Sequence, residues 1–343
     1  VMRPVRRVRT TRATGVALAL VAALGLTGCS PELPVPVPAA APAVPPPVTT
    51  IEQTDRILQD VGAVLTAGDA ALSAADLPRR LSGPALAVRT AEYAVASATG
   101  GARPVTAVPV AAQTLVVPST TQWPRTQIVV TEQPDDLTSP RLLVLRQDTP
   151  RAAYTLWGWA RLLPGAQMPP TATPAVGSAP LAADEPGLVA TPTDVVAQYA
   201  DVLSNGDASA FAAGFAAPDP YRQQIEAGRA RYQGVVAEGT GTFTETYAPV
   251  PDQLFAHATA DGGALVVAGM TTSSTLAVTG SSLAVPPELA AVSGGALPAG
   301  AVLRNNLAFT YTDVVVFYVP PAGAGTPVRV LGAEHFFTSA SGS

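Results

Sequence analysis

Two histidines, His257 and His335, are the only imidazoles in this chain of 343 residues. His335 belongs with Tyr199, Tyr232, Tyr311 and Asp313, the residues best suited to hold a ligand or move a proton. An imidazole near a carboxylate can donate, accept or transfer a proton close to neutral pH. The spacing sets which of them can meet. At strand period, His335 shares a face with Leu331, Ala333 and Phe337, while Tyr311 and Asp313 share one with Phe309 and Phe317. Either one of these faces lines a cavity, or the aromatics fill a core with a hydrogen-bonded histidine at the sheet edge.

Other reaction chemistries lack their residues. Neither histidine has a second ligand at helical or paired-cysteine spacing, and Glu334 and His335, as strand neighbours, point to opposite faces. No Gly-x-Ser-x-Gly elbow occurs, and all 20 basic residues are arginine, so a phosphate-binding loop that needs lysine cannot form. Asp135-Asp136 follow Pro134 in a turn-like run, which suits solvated capping better than an acid/base pair. The expectation is a protein that is not an enzyme, with no catalytic residue, metal or cofactor. Trp157-Gly158-Trp159 would place two indoles on one strand face, as a stacking platform or as cover for the helices.

The amino-terminal segment has the character of an export signal. Arg3, Arg6, Arg7, Arg9 and Arg12 precede an apolar run, Val16 to Leu26, that is far short of the roughly 20 residues a permanent span requires. Cys29 is the one cysteine, so an internal disulfide is impossible. Eight prolines in residues 31–50 favour an extended stalk, reaching roughly 60 Å at about 3.1 Å per residue. Without residues 1–28 the formal charge of −5 becomes about −10, a poor match for nucleic acid.

Two segments downstream look alike. Ile57, Leu58, Val61, Val64 and Leu65 make one helical stripe, and Val195, Val196, Tyr199, Val202 and Leu203 repeat it 138 positions later. Gly68-Asp69 and Gly206-Asp207 then read as helix stops, and Thr54-Asp55 and Thr193-Asp194 as starts. Both halves continue with further helices and then about four β patterns. In the first these are 114–117, 126–131, 141–147 and 152–163; in the second, 254–259, 264–278, 307–319 and 328–338. The expected fold class is α+β, a tandem repeat of two helices-then-antiparallel-sheet domains at 51–163 and 191–340, joined by a linker at 164–190. Two unrelated amphipathic helices would give the same stripes. Residues 280–300 exceed an ordinary loop and read as a binding or mobile element.

Three resemblances sharpen this reading. Leu26-Thr27-Gly28-Cys29 resembles the lipobox of bacterial lipoproteins, which implies cleavage after residue 28 and lipidation of Cys29. Leu65-Thr66-Ala67-Gly68-Asp69 and Leu203-Ser204-Asn205-Gly206-Asp207, in their helix-then-strand setting, resemble the nuclear transport factor 2-like cone fold. The segment Tyr154 to Gly165 is similar to uncharacterised actinobacterial secreted lipoproteins, which implies an envelope protein and no assigned activity.

The expectation is therefore a lipid-anchored, non-catalytic protein at the outer face of the cytoplasmic membrane, binding or scaffolding a protein or wall partner. A carrier or sensor of a small apolar ligand in one cone pocket is the alternative. Its membrane partner is reached through the lipid on Cys29.

Overall fold

A computed structural model describes residues 44–134, 138–237 and 240–343. Cys29, the segment before it, the stalk up to residue 43 and the pair Asp135-Asp136 lie outside the described residues. No helix among the described residues is long and apolar enough to cross a membrane.

Helices and antiparallel strands are both present, as the composition and periodicity predict. Helix α1 (Ile51–Ala71) starts at Thr50, whose hydroxyl accepts from the Gln53 amide while the Gln53 side chain accepts from the Thr50 amide. This closed capping box satisfies two orphan donors. The start therefore lies four residues before Thr54-Asp55; Thr54 is buried and hydrogen-bonded to Gln127 at 3.0 Å. Helix α2 is Gly83–Ala98, and four strands follow: β1 Ala112–Val116, β2 Arg125–Thr131, β3 Arg141–Gln147 and β4 Thr155–Leu162. They form an antiparallel meander.

The second half opens with a short strand, β5 (Pro180–Leu181), and helix α3 (Pro192–Asn205), capped by Thr191 rather than Thr193. The two helix ends differ in kind. Gly206 closes α3 at a φ of 62°, but α1 runs through Gly68 and ends at Leu72, itself at a φ of 46°. Gly68 is there for space: a Cβ at that position would lie 2.5 Å from the Tyr93 hydroxyl and 3.2 Å from Leu77. Helix α4 (Pro220–Ala237) precedes β6 (Thr240–Ala258) and β7 (Ala264–Thr279). An excursion holds β8 (Leu283–Ala284), helix α5 (Pro287–Ala291) and β9 (Val302–Leu303), and the chain ends with β10 (Asn306–Val319) and β11 (Arg329–Gly342).

The strands of both halves share one nine-stranded sheet, in the order β1-β2-β3-β4-β11-β10-β7-β6-β5. The joint is short: Gly332 opposite Leu162 and Ala333 opposite Arg161. The sheet then doubles back on itself. Ile128, Leu142, Val144 and Trp157 of the first half pack in one apolar layer with Phe255, Leu265, Val267, Val314 and Val316 of the second. Segment 164–190 links the far ends of the sheet: Ser178 bonds Val117 and Ser119, and β5 pairs with β6. The result is a curled antiparallel sheet, with β5 covering the edge of β6 at Ala256 and His257.

Helices cover both outer faces. α1 and α2 pack on the first-half strands through Leu58, Val61, Leu65 and Val88, against Val129, Leu143 and Trp159. α3 and α4 pack on the second through Val195, Tyr199, Leu203 and Ile225, against Val266, Val315 and Phe317. The 280–300 excursion buries its own Leu283, Val285, Leu289 and Val292 in a cluster with Ala91 and Val95 of α2. It is an ordered strap from one half onto the other, held by apolar area that a solvated loop would lack.

Two bulges explain where strand periodicity misleads. The register between β3 and β4 shifts at Val144/Leu145, leaving Trp157 as the extra residue. A one-residue insertion reverses the alternation. Trp159 therefore faces the helices, over which Arg89 lies at 5.2 Å, and Trp157 faces the inner layer, edge-on to Phe255 at 4.7 Å. The two indoles do not share a face. A shift at Val316/Phe317 does the same to β11: Leu331 turns inward, whereas Ala333 stays on the helix-covered side.

Candidate functional site

The second-half strands bring Asp313 and His335 directly opposite each other on β10 and β11. His335 Nδ1 lies 2.6 Å from one Asp313 oxygen, and the Thr272 hydroxyl donates to the other at 2.5 Å. Asp313 is 1% exposed, and these two contacts engage both of its carboxylate oxygens. Tyr311, one pleat earlier, stacks on the His335 ring with centroids 3.8 Å apart and planes 11° from parallel. Burial pushes the Tyr311 hydroxyl well above its ordinary range, so it stays protonated.

Beside this dyad lies an open pocket of about 340 Å³ between α4 and the sheet. His335, Tyr311, Tyr232, Arg229 and Glu245 line it. Glu245, on β6, accepts from the Tyr247 hydroxyl at 2.8 Å and from the Ser274 hydroxyl at 3.0 Å. Arg229 reaches Glu245 at 3.4 Å and donates to the Leu203 carbonyl at 2.5 Å, the last turn of α3. Tyr232 stacks on Phe243 at 5.1 Å and tilts against Phe309 at 5.4 Å. Aromatic planes thus alternate with fixed donors and acceptors.

Of the five residues singled out from the sequence, Tyr232, Tyr311, Asp313 and His335 meet at this pocket or directly behind it. Tyr199 does not. It is wholly buried on the sheet-facing side of α3 against Phe215 and Phe317, with its hydroxyl donating to Asp219 at 2.6 Å. Arg229 and Glu245 line the pocket as well, outside that set of five. Phe243, Glu245 and Tyr247 alternate on β6, so period two would have put Glu245 on the helix-facing side. His257 sits elsewhere, in the inner layer, 3.0 Å from the Thr126 hydroxyl of β2. Burial alone lowers its pKa to about 4, so it stays neutral.

A second polar cluster ties the first half together. Arg89 is fully buried, donates to the Thr106 carbonyl at 2.8 Å and lies 3.1 Å from Glu92. Burial raises the Glu92 carboxyl, and Arg89 opposes that rise. Nearby, Arg141 pairs with Glu334 at 3.1 Å across the joint between the half-sheets. Arg161, directly opposite Arg141 in register, opens with it onto a wide cleft of about 630 Å³ that Ala107, Pro109, Pro164 and Pro220 also line. Among the described residues, no group of three or more His, Cys, Asp or Glu side chains could hold a metal ion.

No curated protein and no solved structure matches the chain. One family does, over residues 45–342, which takes in the whole helix-covered sheet from just before α1 to the end of β11. The chain belongs to the family described as a domain of unknown function, DUF8094.

Proposed function

We propose that this protein is an exported, lipid-anchored envelope protein that acts without catalysis, holding a protein or wall partner at the outer face of the cytoplasmic membrane. Leu26-Thr27-Gly28-Cys29 and the proline-rich residues 31–50 support the anchor and the stalk. The observation that carries the binding role is the wide cleft at Arg141 and Arg161. Its prolines hold the walls in fixed shape, and its breadth suits an extended chain better than an enclosed small molecule. The carrier alternative is weaker, because the His335 pocket presents charges where an apolar ligand needs apolar walls.

In the same reading the two halves descend from one duplicated cone-like unit. The matched stripes of α1 and α3, each laid on an antiparallel meander, support that origin. Two experiments test the proposal. Cys29→Ser should move the protein from the membrane to the soluble fraction; if it stays on membranes, the lipid anchor is wrong. A photo-crosslinking residue at Ala107, in the cleft, should yield adducts in intact cells that the same residue at exposed Val302 does not. Identical adduct patterns at both positions would remove the cleft from the reading.

A further inference from the structure

We infer that the pocket at His335 is a binding site for a neutral, hydroxyl-bearing ring, a single sugar unit. It is a different cavity from the cleft above, and the inference holds whether or not that cleft binds a partner. Three observations converge on it.

First, the histidine is oriented. Its Nδ1 faces Asp313, whose second oxygen is already taken by Thr272, so the neutral ring carries its proton on Nδ1. Nε2, on the other edge of the ring, is then an acceptor, and a ligand must bring a hydroxyl or amide proton to it. The Tyr311 stack prevents the ring from turning away.

Second, the pocket's charges cancel. Arg229 and Arg231 stand against Glu245 and Asp313, two of each sign within or directly behind the wall. A carboxylate or phosphate ligand would find Arg229 already paired with Glu245, and Arg231 lies over the Tyr232 ring at 5.6 Å. A cation would meet the guanidinium groups. A neutral molecule that both donates and accepts meets neither penalty.

Third, the remaining wall is aromatic. Tyr232, stacked on Phe243, and Tyr311, stacked on His335, line it, and the pocket's volume of about 340 Å³ is enough for one sugar ring with its substituents. A hydrocarbon ligand would bury Glu245, Arg229 and His335 Nε2 with less hydrogen bonding than water gives them.

Gly228 provides a test that leaves the dyad intact. It lies on α4 at the pocket wall, and a Cβ there would meet nothing within 4 Å. Gly228→Leu should fill the pocket while favouring the helix, since leucine is the better helix former. The probes are N-acetylglucosamine and glucose, with glucuronate as the anionic control and cyclohexane carboxamide as the ring without hydroxyls. Saturation-transfer NMR on the full chain should show transfer from the protein to the ring protons of a neutral sugar. Gly228→Leu should abolish it, with an unchanged circular dichroism spectrum. His335→Phe, which keeps a ring on Tyr311 but has no acceptor, should weaken binding at least tenfold. The inference is overturned by no transfer to either neutral sugar, by stronger transfer to glucuronate or the carboxamide, or by undiminished binding in Gly228→Leu. If His335→Phe fails to fold, the Gly228→Leu result alone decides.

Discussion

At the scale of single residues, the informative positions are those where a side chain has no room or no partner. His257 is fully buried with its Nδ1 unpartnered, and burial lowers its pKa from an ordinary 6.5 to about 4. The unfolded chain takes up the proton near pH 6.5, and the folded chain resists until about pH 4. Stability should therefore fall as pH drops through that window, by roughly 3 kcal/mol in all, and stop falling on this account below it. Urea unfolding at a series of pH values checks this, and His257→Leu should lose that part of the pH dependence. A curve equally steep in the leucine variant would assign the loss to other groups. Gly68 is the steric counterpart. Gly68→Ala would drive a methyl into the Tyr93 hydroxyl, which donates to Asp69 at 2.7 Å. The expected loss is about 1–3 kcal/mol, reduced by up to about 1 kcal/mol of helix propensity. Adding Tyr93→Phe removes the clashing oxygen, so the double variant should recover part of the melting temperature that Gly68→Ala loses.

At the scale of elements, caps and bulges decide what the periodic pattern leaves open. The stripes of α1 and α3 were legible because helix burial follows a fixed spacing. Their starts were not, since several threonines near each start offer similar chemistry. The closed box at Thr50 and Gln53 chooses the first. Thr50→Ala should destabilise the protein by about 1 kcal/mol, measured by chemical denaturation, whereas Thr193→Ala, at the second residue of α3, should cost less because it removes no cap. Strand faces failed at the two bulges for a related reason. An inserted residue is invisible in the alternation until the partner strand is known, which is why Trp157 and Leu331 face the inner layer.

At the scale of the whole molecule, the inner layer is the central fact. Ile128, Leu142 and Val144 from one half pack with Phe255, Leu265, Val267, Val314 and Val316 from the other. The strap at 280–300 adds a second apolar contact, onto α2. Each half made alone would expose one full sheet face, which soluble monomers rarely tolerate. Residues 44–163 and 180–343 produced separately should aggregate or stay partly unfolded, and should gain native-like circular dichroism when refolded together. Sedimentation of either half as a folded monomer would mean that the inner layer is not needed for folding. The charged joint at Arg141 and Glu334 lies at the same seam, and burial raises the Glu334 carboxyl against the pull of Arg141.

The sequence by itself determined the mixed helix and strand character, the stripes of α1 and α3, most strands but only the end of β6, and the absence of lysine-dependent and internal disulfide chemistry, and it named four of the residues that gather at His335. Each of those is read from local period or from composition. Only the tertiary structure decided that the two meanders join into one sheet, that Tyr199 lies apart from His335, and that Arg229 and Glu245 complete the pocket. Those outcomes depend on which strand lies beside which and where a bulge resets the register. The joint itself pairs Leu162 with Gly332 and Arg161 with Ala333, about 170 positions apart, and no local spacing encodes it.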